Sequence, residues 1–469
     1  MHTSTTSTVP LMPWTAAQLV EATQGYWLND KAPNTEIKRI LTDSRHAEAG
    51  DAFLALKGER FDAHTFIAQV TEQGCQVAIV SQPIDAEICQ LVVPDTRLAL
   101  GQLGAYRRAQ YPQLKVIALT GSSGKTTTKE MLGSILSRIA PTLVTRGNLN
   151  NDLGVPVMLL ELRPEHQYAV MELGASHQGE IDYTSNLVQP LVAGIINIGT
   201  AHLGEFGGRD GICRAKSEIY AHITANGTAI VPAADDFADS IRQAVQTEQV
   251  LSFGQGGDIF ATEIELHAQS ATFSLNTPQG VRQVDLPFAG EHNVQNATAA
   301  AAFALAIGIA LDDIVLGLEQ AVGAKGRLNF IQQGAHLFID DTYNANPTSM
   351  RAAAEVLAQQ DGIRVMVTGD IGELGSAAAQ QHYMLGRDLV SVKGLNFVVA
   401  VGEFAPAAQE GARSTQYGKK MQAFLTQEQA LPFLHSLIET HQPQSMSFLF
   451  KGSRYTHMET LMADLMEKL

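Results

Sequence analysis

The sequence predicts an α/β protein of three domains, and three observations support this. Apolar, β-branched runs alternate with helical patterns along the chain, which is typical of parallel sheets with crossover helices. A glycine-rich turn joins a strand to a helix near residue 120. The 469 residues exceed what one hydrophobic core holds. We therefore expect domains at residues 14–110, 111–324 and 325–469.

The composition argues against several classes of protein. A formal net charge of −16 disfavours a nucleic-acid binder, whose domain is normally basic. No apolar run is long enough to span a bilayer. The three cysteines lack metal-site spacing, which fits a reducing cytoplasm. Residues 1–13 contain neither a basic region nor a long apolar core, so we expect a short disordered lead rather than a signal peptide.

The first domain is predicted to be a small α/β module. Strand-like runs occupy residues 51–56, 77–80 and 91–93, and a helical pattern occupies residues 64–73. Polar groups collect at strand ends in residues 42–45 and 57–64, where open α/β sheets bind ligands. On the residues alone, a solvated loop remains the default interpretation of both segments.

The second domain contains a phosphate-binding pattern, TGSSGKTT, at residues 120–127. A buried strand precedes it and a helix is expected from Lys125, so backbone N–H groups would surround an anion. Lys125 would pair with terminal phosphate oxygens and Thr126 would offer a hydroxyl to Mg²⁺. A full Walker A loop would place glycine at position 119, where this chain has Leu119, yet the shorter form keeps every group that touches phosphate. A tight strand-to-helix connection is the alternative; a nucleoside triphosphate is the ligand implied.

Two further strands of this domain end in side chains suited to metal binding. Residues 168–171 form a predicted strand that ends at Glu172, and residues 195–198 form another that is followed by His202. Because the carboxyl ends of parallel strands share one edge of a sheet, both side chains are expected to face Lys125. Glu172 is an oxygen ligand suited to Mg²⁺, and His202 could complete a second site. A purely structural carboxylate is the alternative for Glu172.

The rest of the second domain combines turns, an insertion and a helix. Residues 147–156 hold three asparagines close together, which suits a turn but exceeds what one turn needs. Residues 260–288 alternate apolar and polar positions, which predicts an antiparallel insertion. An alanine-rich helix begins near residue 290, with His292 and Asn293 as caps or ligands.

The third domain is predicted to be a doubly wound, Rossmann-like unit. Strands are expected at residues 336–339, 363–367, 396–401 and 447–450, and helices at 349–359, 377–390 and 457–468. Polar segments follow the strands at residues 340–347, 369–375 and 451–454. We therefore expect a binding edge at the carboxyl ends of these strands.

Six segments resemble, in order and approximate spacing, the motifs of the Mur ligases, ATP-dependent enzymes that extend the peptide of the bacterial cell-wall precursor. They are residues 120–127 (TGSSGKTT), the strand end at Glu172, residues 199–202 (GTAH), residues 290–293 (GEHN) with Asn296, residues 326–328 (GRL) and residues 340–347 (DDTYNANP). Within the family, the chain resembles members that join D-alanyl-D-alanine to UDP-N-acetylmuramoyl-tripeptide through an acyl phosphate, forming ADP and phosphate. Residues 43–45, 55–64, 147–156, 369–375 and 451–454 support this.

The resemblance implies a role for each matching residue. The uridine-diphosphate site of the first domain would include Ser44 and Arg45, and the muramyl-peptide contacts would be Asn148, Asn150 and Asn151. The ATP phosphates would be held by Gly121, Ser122, Ser123, Gly124, Lys125, Thr126 and Thr127. The remaining ATP contacts would be Asn293, Asn296, Arg327 and Asp341. Thr126 and Glu172 would ligate the first of two Mg²⁺ ions and His202 the second, and Lys125, Glu172, His202 and Lys216 would be catalytic.

Lys216 matches the lysine that Mur ligases carry as a carbamate. Carbon dioxide converts such a lysine to a carboxylate that can ligate Mg²⁺. Without the resemblance, an ordinary surface lysine on a helix is the preferred interpretation.

Several functions remain alternatives. The sister enzyme that adds a diamino acid usually carries a DNPR segment, which this sequence lacks. A folylpolyglutamate synthetase would lack a uridine-diphosphate domain such as residues 14–110. A phosphate-loop switch protein or a pure binding module would not need the third domain or the full set of phosphate and metal groups. We expect a cytoplasmic monomer in cell-wall synthesis, and so in cell shape and division. Asp370, Asn346 and Arg454 are positional candidates for holding D-alanyl-D-alanine.

Overall fold

The computed structural model describes residues 9–58, 61–200 and 203–469. Within these ranges the chain forms α/β units in the predicted order. No helix in the described ranges has both the length and the apolar character that a membrane span requires.

The first unit is a five-stranded sheet in the order β1-β5-β4-β3-β2. Strands β2 to β5 run parallel and β1 pairs with β5 in the antiparallel sense. The elements are α1 (Ala16–Thr23), β1 (Tyr26–Trp27), β2 (Ile40–Leu41), β3 (Ala52–Leu54), α2 (Ile67–Glu72), β4 (Val77–Val80), β5 (Cys89–Val92) and α3 (Thr96–Ala109). The predicted helix over residues 64–73 is divided into a 3₁₀ turn at Ala63–Phe66 and α2.

The expected disordered lead is wrong for the residues from Val9 onward. The Arg163 guanidinium donates to the carbonyl of Val9, and Arg107 donates to Met12 O at 2.8 Å. The Arg107 guanidinium also lies 4.1 Å from the centre of the Trp14 ring. These bonds hold the segment before α1 against the first two units.

The second unit contains a six-stranded parallel sheet in the order β11-β10-β9-β6-β8-β7. The predicted antiparallel insertion is present as the three-stranded sheet β12-β13-β14. The strands are β6 (Lys115–Thr120), β7 (Thr142–Val144), β8 (Tyr168–Glu172), β9 (Val192–Ile195), β10 (Thr228–Pro232), β11 (Val250–Phe253), β12 (Phe260–Leu266), β13 (Ala271–Thr277) and β14 (Gly280–Leu286). The helices are α4 (Lys125–Ser137), α5 (Gly154–Leu160), α6 (Glu180–Val188), α7 (Leu203–Phe206), α8 (Arg209–Ser217), α9 (Ala238–Ala244), α10 (Glu291–Ala306) and α11 (Leu311–Glu319).

The strand predicted at residues 195–198 is wrong in position, because β9 ends at Ile195. Beyond it, Ile196 N still donates to Thr120 O at 2.8 Å, but Asn197 O accepts from Ser122 N at 3.1 Å. The segment therefore leaves the ladder to bond the phosphate loop.

The third unit is a six-stranded sheet in the order β15-β16-β20-β17-β18-β19 with an apolar core on each face. Within this sheet, as described, β15 and β16 pair in the antiparallel sense and the other neighbours run parallel. The strands are β15 (Asn329–Gln333), β16 (His336–Asp340), β17 (Ile363–Gly369), β18 (Phe397–Val401), β19 (Met421–Phe424) and β20 (Met446–Lys451). The helices are α12 (Pro347–Ala358), α13 (Ala378–Ser391), α14 (Ala405–Arg413), α15 (Gln427–His441) and α16 (Met458–Glu467). This is the expected doubly wound arrangement.

The third unit contacts the second beside the phosphate loop. The side-chain Oδ1 of Asn346 accepts from Ser349 N and so caps α12, while its side-chain Nδ2 donates to Ser123 Oγ at 2.9 Å. The hydroxyls of Thr200 and Thr348 lie 3.5 Å apart. Two carboxyl edges of parallel sheets therefore face the same space.

Candidate active site

A cleft of about 2410 Å³ lies between the second and third units. The phosphate loop, the asparagine turn, the ends of β8 and β9 and the start of α10 line it from the second unit. The loops after β16, β17 and β20 line it from the third. The space is large enough for a nucleotide together with part of a second substrate.

The phosphate loop adopts the strand–turn–helix arrangement that the sequence predicts. Gly124 has φ +78° and precedes α4, and a Cβ on it would lie 2.2 Å from Asn296 Oδ1, so the position requires glycine. Lys125 Nζ donates to Gly121 O at 2.7 Å. The first turn of α4 points its unsatisfied backbone N–H groups into the cleft, as an anion site requires.

Asn197, which the sequence reasoning missed, supports this loop from β9. Its Oδ1 accepts from Ser123 N at 3.0 Å, while its Nδ2 donates to Ser123 O at 3.0 Å. With Ser122 N bonded to Asn197 O, the amides of Ser122 and Ser123 are already occupied. These two N–H groups are therefore not free to bind an anion, contrary to the expectation from the sequence. The backbone N–H groups at the start of α4 remain for that role. A polar asparagine in the otherwise apolar run of residues 195–198 was the available signal.

The residues expected to activate phosphate meet on the floor of the cleft. Glu172 is 1% exposed; its Oε1 accepts from Asn150 Nδ2 at 2.7 Å, and its buried Oε2 has no hydrogen-bond partner in the described part of the chain. Burial lowers the pKa of the Lys125 ammonium, while the Glu172 carboxylate opposes that shift. A buried carboxylate oxygen without a hydrogen-bond partner is suited to bind a cation.

Lys216 is a buried residue of α8, not the surface lysine that the sequence alone would suggest. Burial and then the charge of Lys125 hold the pKa of Lys216 well below the ordinary lysine value, and Glu172 again opposes the shift. The charges of Lys125 and Glu172 thus both act on the pKa of Lys216. His202 lies outside the residues that the structure describes. No group of three or more His, Cys, Asp or Glu with metal-site geometry occurs within residues 9–58, 61–200 and 203–469.

The three asparagines of the turn all line the cleft but differ in their contacts. Asn150 bonds Glu172, whereas Asn151 Oδ1 accepts from Gly154 N at 2.8 Å and so caps α5. Asn151 therefore has a structural role in the turn, as is common for asparagine.

Asn293 and Asn296 are buried at the start of α10 and reach the cleft. Asn296 Nδ2 donates to Asn293 Oδ1 at 3.0 Å, and Asn293 Nδ2 donates to Ala289 O at 2.8 Å. The pair supports the back of the phosphate loop at Gly124.

The third unit contributes Arg327, Asp341 and a further lysine. The Arg327 guanidinium lies 4.5 Å from the centre of the Tyr343 ring, and both line the cleft. Asp341 Oδ2 accepts from the buried Lys451 Nζ at 2.7 Å. Burial lowers the pKa of Lys451, and Asp341 partly offsets this. The sequence analysis did not assign a role to Lys451, because its partner lies 110 residues earlier.

Of the three residues expected from their positions to hold D-alanyl-D-alanine, two line the cleft and one does not. Asp370 is buried, and its carboxylate accepts from Glu403 N at 2.7 Å and Phe404 N at 3.1 Å, so it anchors the chain before α14 and does not line the cleft. Arg454 lines the cleft and donates to Glu459 at 2.7 Å. Asn346 also lines it, beside Ser123.

Ser44 and Arg45 lie apart from this cleft, in the first unit. Arg45 is largely exposed, and its guanidinium donates to Asp43 at 2.6 Å. The Arg45 hydrogen bonds hold the pKa of Asp43 well below its usual range. This pair forms a second polar edge, at the end of β2.

Three family profiles match successive parts of the chain. The profile described as "Mur ligase family, catalytic domain" matches residues 36–108, and "Mur ligase middle domain" matches residues 119–304. The profile "Mur ligase, glutamate ligase domain" matches residues 326–454.

Individual proteins are similar over nearly the full length. A UDP-N-acetylmuramoyl-tripeptide–D-alanyl-D-alanine ligase from Escherichia coli (strain K12) is 42% identical over 432 residues, which cover 91% of this chain and 93% of that protein. A crystal structure of MurF from Acinetobacter baumannii is 76% identical with a TM-score of 0.95, covering 98% of this chain and 100% of that one. MurF ligase from Thermotoga maritima in complex with ADP is 27% identical with a TM-score of 0.81, covering 92% and 97%.

Proposed function

This chain belongs to the Mur ligase family, and we propose that it joins D-alanyl-D-alanine to UDP-N-acetylmuramoyl-tripeptide in an ATP-dependent reaction. The products are UDP-N-acetylmuramoyl-pentapeptide, ADP and phosphate, and the reaction supplies peptidoglycan synthesis. The observation that carries the proposal is the meeting of the phosphate loop, Glu172 and the binding edge of the third unit in one cleft. The full-length similarity to dipeptide-adding ligases supports the choice of acceptor.

The reaction needs activation because a carboxylate is a poor electrophile. Transfer of the γ-phosphoryl group of ATP to the tripeptide carboxylate forms an acyl phosphate and ADP. The free amine of D-alanyl-D-alanine then attacks the acyl carbon, and the tetrahedral intermediate expels phosphate as the nitrogen loses a proton. In such a transfer, catalysis consists mostly of positioning and charge stabilisation.

The residues of the chain have distinct tasks in this scheme. Lys125 and the first turn of α4 hold the β- and γ-phosphates and offset their charge. Asn148 and Asn150 contact the muramyl-peptide. Ser44 and Arg45 hold its uridine diphosphate at the polar edge of the first unit. Asn293 and Asn296 lie on the adenine side, and Arg327 and Asp341 reach ATP from the third unit.

The unpartnered Glu172 carboxylate oxygen suits one Mg²⁺ ion, and we propose a second ion on the basis of the family resemblance. The bare Glu172 Oε2, with the Thr126 hydroxyl at the start of α4, is the oxygen set that Mg²⁺ takes when it keeps several waters. We assign the first ion to these residues and the second to Lys216, as a carbamate, and His202. When bound, the ions offset the negative charge that develops during phosphoryl transfer.

Carbamylation of Lys216 is chemically reasonable for its surroundings. Burial lowers the pKa of the Lys216 amine, which raises the fraction of the neutral amine, and only the neutral amine adds to CO₂. The new N–C bond forms as the neutral amine adds to CO₂ and one proton is released, which leaves a carboxylate in place of the amine. That carboxylate would attract the Lys125 ammonium.

The decisive experiment measures phosphate release from ATP with UDP-N-acetylmuramoyl-tripeptide and different acceptors. We expect turnover with D-alanyl-D-alanine and none with free diamino acids. Turnover without any acceptor would contradict ligase activity, and turnover with a diamino acid alone would assign the chain to the sister reaction. Gel filtration and fractionation test the further proposals of a monomer and a cytoplasmic location.

A further inference from the structure

Lys129 is a completely buried lysine that the scheme above does not use. It lies one helical turn after Lys125 on α4. Its Nζ donates to Thr145 O at 2.7 Å and lies 2.8 Å from Glu130 Oε1. Lysine is rarely fully buried, because its ammonium must be paired to compensate for the lost water. An apolar side chain of similar length would fill the same space without that requirement.

Thr145, the acceptor of this bond, also bonds the strand that carries Glu172. Thr145 follows β7, and its backbone N donates to Val170 O at 2.9 Å. Its hydroxyl donates to Val170 O at 3.2 Å and accepts from Glu172 N at 2.9 Å. Thr145 therefore makes hydrogen bonds to both Val170 and Glu172 at the carboxyl end of β8.

The hydrogen bonds of Lys129 and Thr145 connect helix α4, which carries Lys125, with the end of β8, which carries Glu172. In the proposed reaction both of these residues act on the same phosphate. Lys129 belongs to the helix that positions Lys125, and Thr145 belongs to the neighbouring strand end. The bond between them sets the position of the Glu172 backbone relative to the phosphate loop, while Asn150 orients the carboxylate. The bare Oε2 of Glu172 is therefore presented from a fixed backbone.

We propose that Lys129 is a positioning residue, which acts through Thr145 to place the Glu172 carboxylate at the cation site. The inference rests on the proposed function for the identity of that site. Groups behind a metal ligand commonly change metal affinity by about 10- to 100-fold when removed. The same range is expected here.

The test uses the full chain with Lys129→Met, which keeps the length of the side chain and removes its charge. Mn²⁺ binding in the presence of ADP, followed by electron paramagnetic resonance, should weaken by about 10- to 100-fold. Amide hydrogen exchange at Glu172 in the ligand-free protein should accelerate. The KM for D-alanyl-D-alanine should change much less than the Mn²⁺ affinity, since we expect the acceptor to bind at the third unit. Lys393→Met, which removes an exposed lysine of the third unit, is the control.

A second variant keeps the inference testable if Lys129→Met fails to fold. Thr145→Val removes the acceptor of the Glu172 amide and should reproduce both effects, whereas Thr145→Ser should retain wild-type values. Wild-type Mn²⁺ affinity and exchange in the folded variants, or no Mn²⁺ binding by the wild-type ADP complex, would overturn the proposal. Failure of the proposed function differs from this, because it would appear as absent turnover with D-alanyl-D-alanine in the wild-type protein.

Discussion

At the scale of single residues, the cleft depends on buried charges that lie close together. Lys216 and Lys451 are buried and Lys125 is half-buried; the Glu172 carboxylate opposes the charges of Lys125 and Lys216, and the Asp341 carboxylate pairs with Lys451. Buried like charges are unfavourable unless a ligand or an opposite charge compensates them. The negative charge of a bound triphosphate would supply that compensation.

The first prediction concerns the phosphate-loop lysine. Lys125→Ala removes a charge directed at the transferring phosphoryl group, so turnover should fall by about 100-fold or more. Steady-state phosphate release measures this. Lys393→Ala, at an exposed position, is the control and should keep normal turnover. Near-normal activity of Lys125→Ala would mean that the phosphates bind elsewhere.

The second prediction concerns Lys216. Lys216→Ala should lose most activity, and short-chain carboxylic acids should restore part of it by occupying the space of the carbamate. The same acids should not restore Lys125→Ala, whose defect is a missing cation. Rescue of both variants to the same extent would contradict a carbamate at Lys216.

The third prediction follows from His292 at the start of α10. Burial lowers its pKa to about 4, although the Asp341 carboxylate opposes the shift. The unfolded chain takes up a proton as pH falls through about 6.5, but the folded chain does not until about 4. The contribution to stability is therefore present above pH 6.5 and is lost between pH 6.5 and 4.

His292→Gln should lose less stability than the wild type over that interval. The difference should reach at most about 3 kcal/mol, because the half-buried ring keeps some contact with solvent. Urea unfolding at several pH values measures it. His267→Gln, at an exposed position, should behave as the wild type. Equal pH profiles for His292→Gln and the wild type would exclude a neutral, buried His292.

At the scale of helices and strands, α13 and α14 of the third unit pack closely at two glycines. A Cβ on Gly386 would lie 1.9 Å from Ala408 O, and one on Gly411 would lie 1.9 Å from Tyr383 O. Both clashes involve helix backbone, which cannot move aside as a flexible side chain can. The two helices therefore need glycine at their crossing.

The fourth prediction tests this crossing. Gly386→Ala gains up to about 1 kcal/mol of helix propensity, but overpacking typically costs about 1–3 kcal/mol. We expect a net loss of stability, because the clash is with a backbone carbonyl. Thermal unfolding measures it, with Met384→Ala at an exposed position of the same helix as control. An unchanged or raised Tm for Gly386→Ala would contradict the packing argument.

Elements with strong local patterns were predicted well, and weakly patterned ones were missed. Strand β4 and the start of α4 agree with the prediction because apolar runs and a glycine turn define them locally. The sequence analysis did not predict β19, which is only four residues long and partly exposed, or α15, which contains Pro432. The β9 error arose because residues 196–198 are as apolar as a strand but bond the phosphate loop.

At the scale of the whole molecule, the candidate site is divided among units that must approach one another. The phosphate loop belongs to the second unit, while Arg327, Asp341 and Lys451 belong to the third. The Asn346–Ser123 hydrogen bond joins the two at the phosphate loop. Ligands that bridge the cleft should therefore stabilise the closed arrangement of these units.

The fifth prediction is a closure of the third unit on substrate binding. X-ray scattering should show a smaller radius of gyration with a non-hydrolysable ATP analogue and UDP-N-acetylmuramoyl-tripeptide than without them. Asn346→Ala, which removes the cross-unit bond, should close less completely. An unchanged radius of gyration in the wild type under saturating ligands would contradict this closure.

The sequence by itself determined the strand–loop–helix phosphate site, the order of the α/β units and the family, because contiguous residues and local periodicity carry this information. Only the tertiary structure decided which side chains meet in the cleft. Lys129 and Thr145 are 16 residues apart, and Asp341 and Lys451 are 110 residues apart. Such pairs form because the sheets bring strand ends and the helices packed on them together, and burial then requires each polar group to find a partner.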